Sequence, residues 1–148
     1  MTNTVRPLEP SDRAEWEPLW RAYLRFYETE LPREQYDLTW ERLHDPAEPM
    51  HAFGAFDDDG KMIGIVHAIF HRSCWLPEWT CYLQDLYVEN TGRGKGAGEA
   101  LIEAVAELAR EKGAGRLYWL THESNATARR LYDRVAQNSG FIQYRKPL

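Results

Sequence analysis

Three glycines and two cations lie within six residues, Arg93-Gly94-Lys95-Gly96-Ala97-Gly98. A glycine-rich turn lets successive backbone N–H groups close on an anion, and a helix opening directly after it adds its positive N-terminal end. Arg93 and Lys95 supply mobile positive charge in a chain of formal net charge −5. The pattern is a phosphate trap. Just before it runs Tyr82-Leu83-Gln84-Asp85-Leu86-Tyr87-Val88. Strand alternation puts Tyr82, Gln84 and Leu86 on one face and Asp85 on the other, unless a bulge intervenes. Gln84 cannot act as a base, although its amide can orient a polar group or a water. Glu28 and Glu30 are further carboxylates near the first helices, with Tyr27 beside them. His67 and His71 are four apart, which on a strand separates them by about 13 Å. A shared metal is therefore disfavoured, and no metal site is expected.

The elements that position these residues are read from periodicity. Residues 4–8 read as a first strand. Trp16, Leu19, Trp20, Tyr23 and Tyr27 recur at helical spacing, and Pro18 among them predicts a kink or a helix that begins near Glu17. Residues 32–43 read as a second helix. The period then changes to that of strands at 51–56 and 62–71, joined by the turn Asp57-Asp58-Asp59-Gly60. A strand at 80–88 leads into the glycine loop and a helix over 99–112, which buries Leu101, Ile102, Val105, Leu108 and Ala109. Further on come a strand at 116–121, a helix from 126 to about 137 and a last strand at 141–146. The fold class is mixed, layered α/β, with a twisted central sheet of six to seven strands and about four helices in one domain, residues 1–148. The strands on either side of the 99–112 helix are expected to run parallel.

The architecture narrows the anion. A P-loop needs Ser or Thr after its lysine to hold magnesium, and here Gly96 comes after Lys95. Gly92, Gly94 and Ala97 formally satisfy a dinucleotide fingerprint. Only about 50 residues remain after it, however, and no acidic residue ends the next strand. Instead Arg93-x-x-Gly96-x-Gly98 resembles the Arg/Gln-x-x-Gly-x-Gly/Ala loop of the GNAT superfamily of acetyl-CoA-dependent N-acetyltransferases. The flavour is that of the spermidine/spermine and thialysine enzymes and of histone/polyamine-type relatives. The strand Tyr82–Val88 is similar to the family's pantetheine-binding strand, and Asn125-Ala-Thr-Ala-Arg-Arg-Leu-Tyr132 to its second CoA-contacting helix. The two motifs at this separation are more specific than either alone.

The resemblance implies a fold, a cosubstrate and roles. Acetyl-CoA would bind through Arg93, Gly94, Lys95, Gly96, Ala97 and Gly98, with its pantetheine arm paired along the backbone of Leu86, Tyr87 and Val88. An N–H there would polarise the thioester carbonyl. Asn125 would contact the cofactor and Tyr132 would protonate the departing thiolate. A phenol with a pKa near 10 keeps its proton at neutral pH, which suits that task. The acceptor, a primary amine of a polyamine, amino acid or similar small molecule, would meet Tyr82, Gln84, Asp85, Tyr27 and Glu28. The polyamine enzymes carry Glu where Gln84 stands, so their specificity does not carry over. Acetylation of a protein amine and a non-catalytic acyl-CoA sensor are the alternatives.

Composition sets the outer bounds. The negative charge gives no footprint for nucleic acid or an anionic membrane. Cys74 and Cys81 form no disulfide or zinc framework. No signal peptide or membrane-spanning run is read from the sequence, so a cytoplasmic location is expected. One strand too few after Tyr132 for the usual family pattern predicts a homodimer that pairs or exchanges C-terminal strands.

Overall fold

The computed structural model describes residues 3–92 and 96–148. Its elements run β1 (Thr4–Pro7), α1 (Arg13–Phe26), α2 (Arg33–Leu43), β2 (Met50–Phe56), β3 (Met62–His71), β4 (Thr80–Val88), α3 (Ala97–Glu111), β5 (Arg116–Tyr118) and α4 (Ala126–Val135). Sequence order and sheet order coincide, β1-β2-β3-β4-β5. The first three pairings are antiparallel, and β4 pairs with β5 in parallel across the α3 crossover, as expected.

The sheet is covered on both faces, which explains why β3 has apolar residues in almost every position. On one face α3 lays down Leu101, Ile102 and Val105 against Val66, Ala68, Phe70 and Leu83. On the other, α1 and α2 pack Trp16, Trp20, Leu24 and Tyr36 against Phe56 and Ile65. The β2–β3 hairpin closes on Asp57, whose Oδ1 accepts from the N–H groups of Asp59 and Lys61 at 2.9 Å. Gly60 takes φ 81° there, a value that glycine reaches at little cost.

Four sequence expectations change, besides the strand expected at 116–121, which stops at Tyr118. Helix α1 begins at Arg13 and carries Pro18 inside it, so it does not start near Glu17. The missing Pro18 N–H forfeits one helical bond, while burial of Trp16, Leu19, Trp20 and Leu24 holds the helix together. The sheet has five strands rather than six to seven. Residues 141–146 are not a strand: they carry no regular structure and are exposed. Alternating apolar residues make a strand only when a partner edge satisfies their backbone, and this segment does not pair with the open edge of β5. The fourth change concerns the faces of β4.

Those faces are reset by a bulge. His67 pairs with Asp85, and the next residue, Ala68, pairs with Leu83. Gln84 is therefore the extra residue, and a bulge of one residue inverts the alternation on one side of it. Leu86 and Leu83 both join the α3-side core. Asp85, opposite His67, faces α1. Tyr82 consequently does not share a face with Leu86, and Gln84 is exposed.

Candidate active site

The ladder between β4 and β5 is short. It covers Thr80 to Tyr82 against Arg116 to Tyr118, while β4 continues six residues further, to Val88. The two strands part where the Gln84 bulge twists β4. A narrow cleft opens at this splay. Tyr23 and Tyr27 line it from α1, Leu83, Gln84 and Leu86 from β4, Trp119 and Leu120 from the segment after β5, and Tyr132 from α4. Four separate elements thus converge on the place where two parallel strands separate.

Tyr132 reaches the cleft because α4 is anchored on one side only. The helix buries no residue completely, but Leu131, Tyr132 and Val135 pack against the α3-side core. Trp119 meets the Tyr132 ring edge-on at 5.5 Å between centroids, and Arg134 pairs with Glu99 on α3. Burial, with a smaller contribution from Tyr27, pushes the Tyr132 phenol up to about 12. It remains an O–H donor throughout the neutral range.

Asn125 is the N-cap of α4 rather than a residue within it. Its side-chain oxygen accepts from the Ala128 N–H at 3.2 Å, satisfying one of the helix's orphan donors. The carboxamide NH2 is left for another partner. Arg93, Gly94 and Lys95 lie outside the described residues. Gly96 is the N-cap of α3 at φ 79°, a left-handed conformation that disfavours any residue with a Cβ. Ala97 is buried beneath the first turn and Gly98 lies beside Leu131. The loop's glycine pattern therefore has a local reason in the chain reversal into α3. Leu86 and Val88 pack on the α3 side, and Tyr87 packs on the α1 side.

Behind the cleft lining, on the α1 side of β4 and next to Tyr23, stands Asp85. Its Oδ2 accepts from His67 Nδ1 at 2.8 Å and from the Trp20 indole at 3.3 Å. Its side chain is 13% exposed, and among the described residues no Lys or Arg lies within ion-pair reach of it. Three tyrosines feel its charge. Burial first, and Asp85 next, raise the phenols of Tyr23, Tyr27 and Tyr82 above their ordinary value. The Tyr23 hydroxyl also donates weakly to the Gln84 carbonyl, at 3.4 Å. The result is a carboxylate held by two N–H donors, with three phenols near enough to feel its charge.

Not every candidate gathers here. Glu28 is exposed and has φ 55°. It occupies the left-handed position of a helix-ending motif, with Thr29 N–H bonded to Leu24 O and Glu28 N–H to Arg25 O, both at 2.9 Å. Glu30 lines a separate hollow with Arg21, Arg25 and Tyr36. His71 bonds the Tyr118 hydroxyl at 2.8 Å, and His122 packs its ring against Tyr27. Sequence reasoning places Trp119 and Leu120 inside a longer strand and so misses them, and it gives His67 no part in the site. A histidine in an apolar strand opposite an aspartate is the available signal, and the register is needed to see it.

The site is thus a mixed sheet that splays between two parallel strands, with Gly96 capping α3 and the Tyr132 phenol lining the cleft. Residues 16–136 match the family model described as the Acetyltransferase (GNAT) family. The D-amino-acid N-acetyltransferase HPA3 of Saccharomyces cerevisiae is 36% identical over 143 residues, covering 96% of this chain and 89% of that protein. The thialysine N-epsilon-acetyltransferase of Caenorhabditis elegans is 33% identical over 99 residues, 66% of this chain and 61% of that one. The crystal structure of a ribosomal-protein-alanine N-acetyltransferase from Brucella melitensis shares the fold, with a TM-score of 0.80 at 24% identity over 99% of this chain and all of that one. The chain belongs to the GNAT acetyltransferase family and is an N-acetyltransferase. Among the described residues, no helix is long and apolar enough to cross a membrane.

Proposed function

We propose that residues 1–148 form one domain that transfers the acetyl group of acetyl-CoA to the primary amine of a small molecule, by direct attack in a ternary complex. The observation that carries this reading is the convergence of Tyr132, the β4 bulge and the α1 tyrosines on one cleft at the strand splay. Acetyl-CoA's phosphates lie at the turn 93–98, and its pantetheine arm runs along Leu86–Val88 towards Tyr132. Asn125 contributes its carboxamide NH2 to the arm. The amine enters from the α1 side, where Asp85 draws in its ammonium form and Tyr27, Tyr82 and Gln84 border it. After losing a proton, the amine nitrogen attacks the thioester carbonyl, the C–S bond breaks, and Tyr132 gives its proton to the leaving sulfur. The nitrogen's second proton passes through water to the Tyr132 phenolate and restores the phenol, leaving amide and CoA thiol.

Named relatives that act on D-amino acids and on thialysine support an amino acid or similar amine as acceptor. A thiol-release assay with acetyl-CoA tests this across D- and L-amino acids, thialysine, polyamines, aminoglycosides and short peptides. Turnover is expected with one of the first three groups. Release with peptides alone would overturn the small-molecule reading, and release with none would overturn the acetyltransferase mechanism drawn here.

The same reading includes a homodimer. The outer edge of β5 carries no further strand among the described residues, and Phe141, Ile142 and Tyr144 are each more than three-quarters exposed. A second copy of this segment, paired along β5, would cover both the edge and these side chains. Light scattering at micromolar concentration is expected to give the dimer mass; a monomer would reject the pairing. The free thiols Cys74 and Cys81 are in keeping with a reducing cytoplasm.

A further inference from the structure

We infer that His67 is a positioning residue, which holds the Asp85 carboxylate in place for the acceptor amine through a hydrogen-bond chain that begins at Trp16. The inference rests on the acceptor role proposed above for Asp85. His67 itself cannot touch substrate: it lies on the central strand β3 and is 3% exposed. The Trp16 indole N–H points at His67 Nε2 at 2.9 Å. An indole N–H only donates, so Nε2 must be the ring's lone-pair nitrogen and the proton must sit on Nδ1. That N–H donates to Asp85 Oδ2 at 2.8 Å. The Trp20 indole donates to the same oxygen at 3.3 Å, so both buried donors hold Oδ2 and neither engages Oδ1.

The chain has a geometric origin. The two indoles are one helical turn apart on α1, stacked with centroids 5.2 Å apart, and they address two different acceptors in line. The bulge at Gln84 brings Asp85 directly across from His67. Without that extra residue the carboxylate would point into the α3-side core. A carboxylate on a freely rotating χ torsion would spend part of its time turned away from an incoming amine. Two donors fixed in a packed core remove that freedom, which is how a surrounding shell sharpens a binding group.

The two halves of the chain can be separated by substitution. In His67→Gln the amide reaches the Nε2 position, keeping an acceptor for Trp16 but offering Asp85 no donor. In His67→Asn the amide NH2 falls near the Nδ1 position and can still serve Asp85. Steady-state kinetics are expected to show KM for the amine raised at least tenfold in His67→Gln with KM for acetyl-CoA unchanged, and largely recovered in His67→Asn. Equal losses in both variants, or parallel losses in both Michaelis constants, would mean a packing role and overturn the inference. Imidazole 15N spectra of the wild-type protein decide the matter even where both variants fail to fold. The expected spectrum at pH 7.5 is a neutral His67 ring protonated on Nδ1; protonation on Nε2 would sink the chain. Absence of acetyl transfer by the wild type would overturn the functional reading alone, because that spectrum is read without turnover.

Discussion

Replacing Tyr132 by Phe is expected to lower kcat by more than tenfold while acetyl-CoA still binds. The substitution removes one oxygen and keeps the ring, so the edge-on contact with Trp119 at 5.5 Å and the packing against the α3-side core persist. What disappears is the proton for the leaving sulfur. A positioned general acid contributes about 10²–10⁴ in rate, and a tenfold loss already corresponds to about 1.4 kcal/mol of barrier. Burial pushes the phenol up to about 12, which fixes the sign of the pH dependence. The protonated, active form dominates below that value and is lost only as the pH rises through it. The kcat profile should therefore show no basic fall between pH 7 and pH 10. Single-turnover thiol release together with acetyl-CoA binding by calorimetry checks both halves. Wild-type turnover in Tyr132→Phe would reject the acid role.

Asp85→Asn should be the second large effect, this time on the acceptor. The change is nearly isosteric, and Asn Oδ1 can still accept from His67 and Trp20, so the core between β4 and α1 remains filled. The negative charge goes. Truncating one partner of a desolvated charge pair costs about 2–5 kcal/mol, which translates into a fall of roughly thirtyfold or more in kcat/KM for the amine. Affinity for acetyl-CoA should not change, because Asp85 faces α1 and the path proposed for the cofactor runs along Leu86–Val88. Initial rates with each substrate varied in turn make the test. A loss confined to acetyl-CoA would show that the carboxylate had been given to the wrong ligand.

Much of this protein is legible in residue order. The strand at 80–88, the parallel return at Arg116, and α3 with its buried Leu101, Ile102 and Val105 all come from periodicity, because hydrophobic spacing reports which face a segment buries. The glycine turn separates from a P-loop by Gly96 after Lys95, and from a dinucleotide site by the short chain beyond it, since each phosphate ligand demands its own neighbours. Element ends are less legible. The strand expected through residue 121 stops at Tyr118, because it leaves β4 where the bulge bends that strand away. The strand expected at 141–146 leaves the open edge of β5 unpaired. An edge belongs to two segments, and no single segment announces it.

Sequence by itself thus pointed to the family, through a glycine-rich pattern at 93–98 between a strand and a helix, and a later helix that carries Tyr132. These are local matters, fixed by turn residues and by spacing within single elements. Tertiary structure alone decided which way Asp85 faces. One unpaired residue at Gln84 turns Asp85 from one face of the sheet to the other, and its partners Trp16, Trp20 and His67 come from two other elements. A one-residue shift in register costs little in composition or pattern but inverts every side chain beyond it, so the glycine pattern could be read from the chain and the setting of Asp85 only from the fold.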